Sequence, residues 1–345
     1  MIGQELFLWL IEVVIYTFFR EVQVRGSYNI PKSGATIIVI APHANQFLDA
    51  ILTIYNVYRN TNGRWCAFVE AAVSFRRLVV GFLSRCAGAL PVERAQDLLE
   101  FKDQGEITFE DYDSDPTLIK GINTHFTKTC MVKGLIGLPN SLGNAQILEI
   151  IDDEHLKLSK TFQQSKAIEL LSNNKTSKFK SAPKIDNSKI FKAVFHHLHD
   201  GGVIAIAPEG GSHDRTELLP FKPGVAIMAL GAVAEKLDES NKDTYDPNFE
   251  VKIVPCGMNY FHAHKFRSRA VFDFGKPIIV TAQDGKEYKE NSRKKVGELL
   301  EQITEAVKSV TIQSPDYETL MTIQAAQIIK LKMQQKINLI ILFYY

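Results

Sequence analysis

At 345 residues, with 45% hydrophobic and 23% charged side chains, the chain has an ordinary globular composition and length enough for one large domain or two small ones. Its 40 basic residues stand against 39 acidic ones, with no long basic stripe, which excludes a general attraction to nucleic acid; any pull on an anion must be local. Four scattered cysteines, Cys66, Cys86, Cys130 and Cys256, show no metal-ligand spacing and read as reduced thiols of a cytosol-facing protein without disulfides.

The first stretch, Leu6 to Phe19, is almost wholly apolar, interrupted by Glu12 and closed by Arg20-Glu21. It falls short of the roughly 20 residues that span a bilayer. With no basic region before it and no small-residue cleavage site after it, it does not read as a signal peptide. An interfacial or short membrane helix, a core helix and a partner-binding helix remain open, and Trp9, Tyr16, Phe18 and Phe19 favour the interface. Val22 to Arg25 reads as a short strand and Gly26 to Gly34 as a turn region. Thr36 to Ala41 is apolar without alternation, the pattern of a strand covered on both faces. It runs into Pro42 and His43, and Asn45 is placed to cap a helix from about Gln46 to Asn60. That helix brings Asp49 close to the imidazole. Parallel sheets bind ligands at such carboxyl ends, and a His–Asp pair suits a general base with its orienting partner. A buried histidine satisfied by a local carbonyl is the alternative.

Cys66 to Val69 reads as another strand, and Ser74 to Arg85 as a helix capped by Ser74, apolar over most of its circumference and carrying three arginines. Such a helix lies either on a membrane with its guanidinium groups at head-group level or in a core with snorkelling arginines. Leu98 to Asn187 differs from its flanks: β-type runs around Gly134–Pro139 and Gln146–Ile150 mark a small β-rich insertion, and Ser172 to Ser188 reads as a mobile surface loop. Ile190 to His199 is a helix stopped by Gly201-Gly202, and Val203 to Ala207 a second buried strand. The cluster His196, His197 and His199 reads as a solvated helix end, so no metal is expected. Val251–Pro255 and Arg269–Phe274 read as strands, and residues 288 to 308 as a helix with Val296, Leu299, Leu300, Ile303 and Val307 on one stripe. The tail from Gln327 is rich in Lys and Gln and carries no functional signal. Strands alternating with helices predict an α/β fold with a mixed, largely parallel sheet flanked by helices.

Three stretches can share chemistry with His43. Gly88 to Arg94 puts an arginine, whose planar fork suits phosphate, after a strand-like run; a surface salt bridge is the plainer reading. Ala207-Pro208-Glu209-Gly210-Gly211-Ser212-His213-Asp214-Arg215 sets paired glycines directly after a strand, so that backbone N–H groups can face an anion. Phe221-Lys222-Pro223-Gly224 adds a cation before a helix N-terminus.

Together these residues resemble the glycerolipid acyltransferase superfamily, the membrane enzymes that acylate glycerol 3-phosphate and lysophosphatidate. His43 with Asp49 looks like its first motif, Gly88 to Arg94 its second, Pro208 to Ser212 its third, and Val254-Pro255-Cys256-Gly257 its fourth. The wording Pro-His-Ala-Asn-Gln-Phe-Leu-Asp, Pro-Val-Glu-Arg-Ala-Gln-Asp and Pro-Glu-Gly-Gly-Ser-His-Asp-Arg is similar to fungal-type glycerol-3-phosphate/dihydroxyacetone-phosphate acyltransferases. The chain departs from the superfamily in two places. Five residues separate His43 from Asp49 instead of the usual four, and Gly211 takes the usual hydroxyl position with Ser212 after it. Fungal-type members are much longer, with more membrane segments, so the resemblance leaves a truncated or an alternative product as the expectation.

The resemblance implies an interfacial or membrane helix over 1–21, an acyltransferase domain over 22–310 with an insertion at about 98–187, and a tail over 311–345. It implies acyl transfer from acyl-CoA, as co-substrate and without a cofactor, to the sn-1 hydroxyl of glycerol 3-phosphate or dihydroxyacetone phosphate. His43 would be the base and Asp49 its partner. Arg94, Gly210, Gly211 and Ser212 would receive the acceptor phosphate, Glu209 would shape that site, and Arg215 and Lys222 are further candidates. The implied setting is the endoplasmic reticulum membrane, with the domain facing the cytosol. Acylation of a lysophospholipid at its second position and a non-catalytic lipid-binding relative are the alternatives.

Overall fold

The structure, a computed structural model, describes residues 2–172, 175–213, 215–238, 245–261, 266–312, 314, 318–319, 322–323 and 326. The expected tail from Gln327 lies outside them. In chain order the elements are α1 (Ile2–Phe18), β1 (Phe19–Arg25), β2 (Thr36–Ala41), α2 (Gln46–Asn60), β3 (Cys66–Ala71), α3 (Ala72–Phe75), α4 (Leu78–Cys86) and β4 (Leu90–Val92). Then come β5 (Glu106–Phe109), β6 (Leu118–Ile122), α5 (Phe126–Thr129), β7 (Leu135–Gly137), β8 (Asn144–Ile150), β9 (His155–Leu158), α6 (Ser165–Leu171), β10 (Ser177–Lys178) and β11 (Lys180–Ala182). The remainder is α7 (Ser188–His199), β12 (Val203–Ile206), α8 (Gly224–Lys236), β13 (Val251–Phe261), β14 (Ser268–Phe274), β15 (Ile278–Val280), α9 (Ala282–Glu290) and α10 (Ser292–Lys308).

These elements form two compact units, one of residues 1–70, 81–90 and 190–345, the other of residues 71–80 and 91–189. The first is built on a mixed sheet in the order β1-β14-β13-β2-β12-β3-β4, with β15 against β13. Its centre is parallel, β13, β2, β12 and β3 all running one way. Side-chain alternation along β2 explains its unbroken apolar run. Ile37, Val39 and Ala41 enter a core with α7, α8 and α10, while Ile38 and Ile40 enter another with α1 and α2. Each such isoleucine, buried on either face, stabilises the fold by roughly 1.5–3 kcal/mol. Both faces are therefore spent on packing, and the polar chemistry is left to the carboxyl end.

Several boundaries differ from the sequence reading. The N-terminal helix stops at Phe18, because Phe19 already belongs to β1, which pairs in parallel with β14. Ile11 and Ile15 of α1 are buried, Glu12 accepts hydrogen bonds from Tyr55 and Arg59, and Trp9, Leu10, Val13 and Tyr16 are exposed. Among the described residues no helix is long and apolar enough to cross a membrane. The expected helix Ser74–Arg85 is two: α3 ends before Arg76, and α4 starts at Leu78 without a Ser74 cap. Its packing is inverted. Gly81 and Ser84 are buried, whereas Leu78 is 88% and Phe82 61% exposed, with Val79 and Leu83 also outside. The helix expected over 288–308 is likewise split at Asn291, whose side chain caps α10 by accepting from the Lys294 N–H.

The second unit carries an antiparallel sheet in the order β10-β5-β6-β9-β8-β7-β11, around Phe126, Phe162 and Phe179 with Leu171 of α6. It spans more than the insertion expected at 98–187. The expected loop over Ser172–Ser188 contains two short strands, β10 and β11, where Ser177, Phe179 and Ser181 alternate inward. Its polar members keep partners, the Ser181 hydroxyl donating to the Thr129 carbonyl at 2.6 Å.

Candidate active site

The site begins where β2 ends. The Ala41–Pro42 peptide is cis, and the chain turns through His43 into α2. Asn45 occupies the N-cap position, yet its side chain makes no cap. Asp49, in the first turn, reaches back instead, its Oδ2 accepting from the Asn45 N–H at 3.0 Å. A carboxylate there is favoured by the positive end of the helix. The same oxygen lies 2.7 Å from Nδ1 of His43, within the expected reach. An Nδ1–H donated to a carboxylate leaves Nε2 with its lone pair, the atom able to take a proton. The His43 side chain is 14% exposed and that of Asp49 fully buried.

The loop after β12 holds the other side of His43. Glu209 Oε2 accepts from the His43 N–H at 2.7 Å, while Oε1 accepts from the Leu219 N–H at 2.9 Å and lies 2.7 Å from His213 Nε2. His213 returns its own backbone N–H to the His43 carbonyl at 3.0 Å. Because the Arg215 N–H donates to His213 Nδ1 at 3.3 Å, the imidazole carries its proton on Nε2 and donates it to Glu209. Glu209, expected to shape the phosphate site, thus engages its oxygens with the His43 and Leu219 backbone and the His213 ring.

Gly210 adopts a positive φ of 73°, a left-handed conformation that favours glycine, and the end of the Lys222 side chain lies against it. Nothing crowds Gly211, and Ser212 and Arg215 are exposed. His43, Asp49, Glu209, Gly210, Gly211, Ser212, Arg215 and Lys222 all belong to the first unit. Arg94 belongs to the second, where Asp97 grips its Nε at 2.6 Å and Nη2 at 2.9 Å. In the fourth motif Gly257 is structural, since a Cβ would meet the Val310 carbonyl.

No group of three metal-binding side chains occurs among the described residues. The histidines of α7 are not all solvated as expected: His197 Nε2 lies 3.1 Å from the Val203 carbonyl and His199 Nε2 2.8 Å from that of Ala232, leaving His196 outermost. All four cysteines are free thiols; burial pushes those of Cys66 and Cys256 far above the ordinary range and that of Cys130 up to about 11.

No protein-family model matches the chain. It is 46% identical over 336 residues to glycerol-3-phosphate O-acyltransferase 2 of Saccharomyces cerevisiae, covering 92% of this chain and 44% of that protein. It is 43% identical to glycerol-3-phosphate O-acyltransferase 1 of the same yeast, over 92% of this chain and 40% of that one. An uncharacterized acyltransferase of Schizosaccharomyces pombe is 42% identical over 93% of this chain and 46% of its own length. The chain is thus similar in sequence to two yeast proteins named for glycerol 3-phosphate acylation. It spans less than half the length of the curated relatives it matches. Among solved structures it resembles the 1-acyl-sn-glycerophosphate acyltransferase PlsC of Thermotoga maritima over 89% of this chain and 76% of that one, at 13% identity and a TM-score of 0.39, too distant to carry an inference.

Two polar groups beside the His43–Asp49 pair were not singled out from sequence. His213 stood inside a motif without a role. Tyr260, on β13, donates its hydroxyl to Asp49 Oδ1 at 2.5 Å. Alternation along β13 holds the signal for it: Cys256, Met258 and Tyr260 share one face and one core with α2, the helix that carries Asp49.

Proposed function

We propose that this chain transfers a fatty acyl group from acyl-CoA to the sn-1 hydroxyl of glycerol 3-phosphate or dihydroxyacetone phosphate, the first step of glycerophospholipid synthesis. The observation that carries the reading is the His43–Asp49 pair at 2.7 Å on the carboxyl end of a buried parallel strand, in a chain 43–46% identical to two proteins named for glycerol 3-phosphate acylation. In the proposed reaction His43 Nε2 takes the proton of the acceptor hydroxyl as its oxygen attacks the thioester carbonyl. The C–S bond then breaks, and the coenzyme A thiolate leaves with the proton held by the imidazolium. A thiol has a pKa of about 8.5, so its thiolate is a good leaving group and one base suffices without a covalent acyl-enzyme. Asp49 holds the ring and stabilises its charged form. The Gly210-Gly211-Ser212 turn, Lys222 and Arg215 are the proposed phosphate ligands of the first unit, Arg94 is a separate candidate in the second, and Glu209 supports that turn and the base together.

The proposal includes a bilayer partner, the endoplasmic reticulum membrane with the domain on its cytosolic side. Supporting it, α4 turns Leu78, Val79, Phe82 and Leu83 outward between exposed Arg76, Arg77 and Arg85. On α1, Trp9, Leu10, Val13 and the 68% exposed Tyr16 form a second such face. Apolar and aromatic side chains beside arginines match the head-group region of an anionic membrane.

The deciding assay supplies glycerol 3-phosphate, dihydroxyacetone phosphate and lysophosphatidate as competing acceptors, with a long-chain acyl-CoA and anionic vesicles. Activity that sediments with the vesicles and prefers the first two acceptors is the expected result. Preference for lysophosphatidate would move the reading to sn-2 acylation.

A further inference from the structure

Asp49 stands at the centre of a larger arrangement than a histidine and its carboxylate. Oδ2 receives two donors, His43 Nδ1 and the Asn45 N–H, both from its own helix end and the preceding turn. Bonds to a single oxygen leave the carboxylate free to pivot about its Cβ–Cγ bond. The second oxygen is fixed from elsewhere in the chain, by the Tyr260 hydroxyl. Tyr260 is itself nearly buried and stacks on Phe19, ring centroids 6.1 Å apart, so the donor has little freedom. We propose that Tyr260 is a positioning residue of the reaction, the third member of a His43–Asp49–Tyr260 array, which aims Oδ2 at the imidazole and sets how strongly the carboxylate draws on Nδ1–H.

The chemistry gives the array a direction. Burial, then the Asp49 charge, hold the Tyr260 phenol well above its ordinary range, so it remains an O–H donor wherever the enzyme works. A carboxylate that accepts three donors spreads its charge among them and pulls less on any one. Removing the phenol donor therefore loosens the aim of Oδ2 and strengthens its pull on His43. Among the described residues, the other titratable groups beside this array are Glu209 and His213 from the loop after β12, bonded to the His43 backbone, and Cys256 on β13, whose thiol stays protonated.

The inference rests on His43 acting as the base, and the experiment separates the two. Acyl transfer by the full chain to glycerol 3-phosphate is measured across pH for Tyr260→Phe, for a fluorotyrosine placed at position 260, and for His43→Ala. Tyr260→Phe keeps the ring and its stacking. It should lower kcat about tenfold, the rate cost of losing one ordinary hydrogen bond from the array, leave the acceptor KM unchanged and move the acid limb of the kcat/KM profile to higher pH. Fluorotyrosine keeps the fold and donates more strongly, so the acid limb should move the other way. In an Asp49→Asn background Tyr260→Phe should have no further effect. Unchanged kcat and an unmoved acid limb in both Tyr260 variants would overturn the inference while an inactive His43→Ala leaves the base intact; an active His43→Ala would overturn the base itself.

Discussion

In the first unit Asp49 and Glu209 are buried and draw donors from far along the chain, Asp49 from a tyrosine 211 residues away and Glu209 from a backbone N–H 166 residues away. In the second unit Asp111 and Asp152 stand in solvent and are satisfied within three residues, while the partly exposed Asp115 adds Lys157 at 3.0 Å to its local Thr117 donors. The Ser114 hydroxyl holds Asp111 below the usual carboxylate range, the Thr117 hydroxyl takes Asp115 down to about 2, and the Glu154 N–H lowers Asp152. These are turn-forming contacts that any surface loop can make. Burying a carboxylate costs several kcal/mol unless its oxygens are fully engaged, so a fold keeps one where the group has work to do. Side chains of one type thus tie distant strands together in one unit and mostly shape local turns in the other.

The contrast breaks most sharply at Glu209. Glu209→Ala leaves the His43 N–H, the Leu219 N–H and His213 Nε2 without their acceptor in a buried place, and should lower stability by about 3–5 kcal/mol in denaturant unfolding. A loss no greater than that of a surface carboxylate would erase the distinction between the units.

Arg94→Ala comes next. If its fork holds the acceptor phosphate, the acceptor KM should rise roughly 10- to 150-fold with the acyl-CoA KM little changed, and Arg94→Lys should recover only part of the loss. Asp97 already engages two of the three guanidinium nitrogens. A neutral Arg94→Ala would therefore reduce the pair to the surface salt bridge that sequence also allowed.

Asp115→Asn should have the smallest effect. A carboxyl depressed in the folded state contributes stability that is present above its ordinary value of 3.8 and is lost as pH falls toward about 2. The variant should accordingly be slightly less stable at neutral pH, lose less between those values, match the parent below them, and transfer acyl groups at the parental rate. Urea midpoints at pH 7 and at strongly acid pH, with one activity assay, test each part.

How far the fold was legible follows the same division. The run Thr36–Ala41 declared a strand covered on both faces by its lack of polar alternation, and the Pro42-His43 step with Asp49 six residues on placed the pair because that contact is local. Ser74 misled because its neighbours continue an apolar helical pattern while the chain breaks at Arg76-Arg77, and residues 172–188 misled because small polar side chains fill inward strand positions. Tyr260 and the double duty of Glu209 were not legible. Their partners meet only when β2, β12 and β13 lie side by side, and neither local spacing nor composition records that register.

The central claim is that the carboxyl end of β2 carries the base. Its most direct test is acyl transfer to glycerol 3-phosphate by His43→Ala, purified alongside the parent and matched to it in circular dichroism and thermal unfolding. Loss of the base should reduce turnover about 10²–10⁴-fold with the fold retained. A folded His43→Ala protein that keeps most of the parental activity would contradict the account.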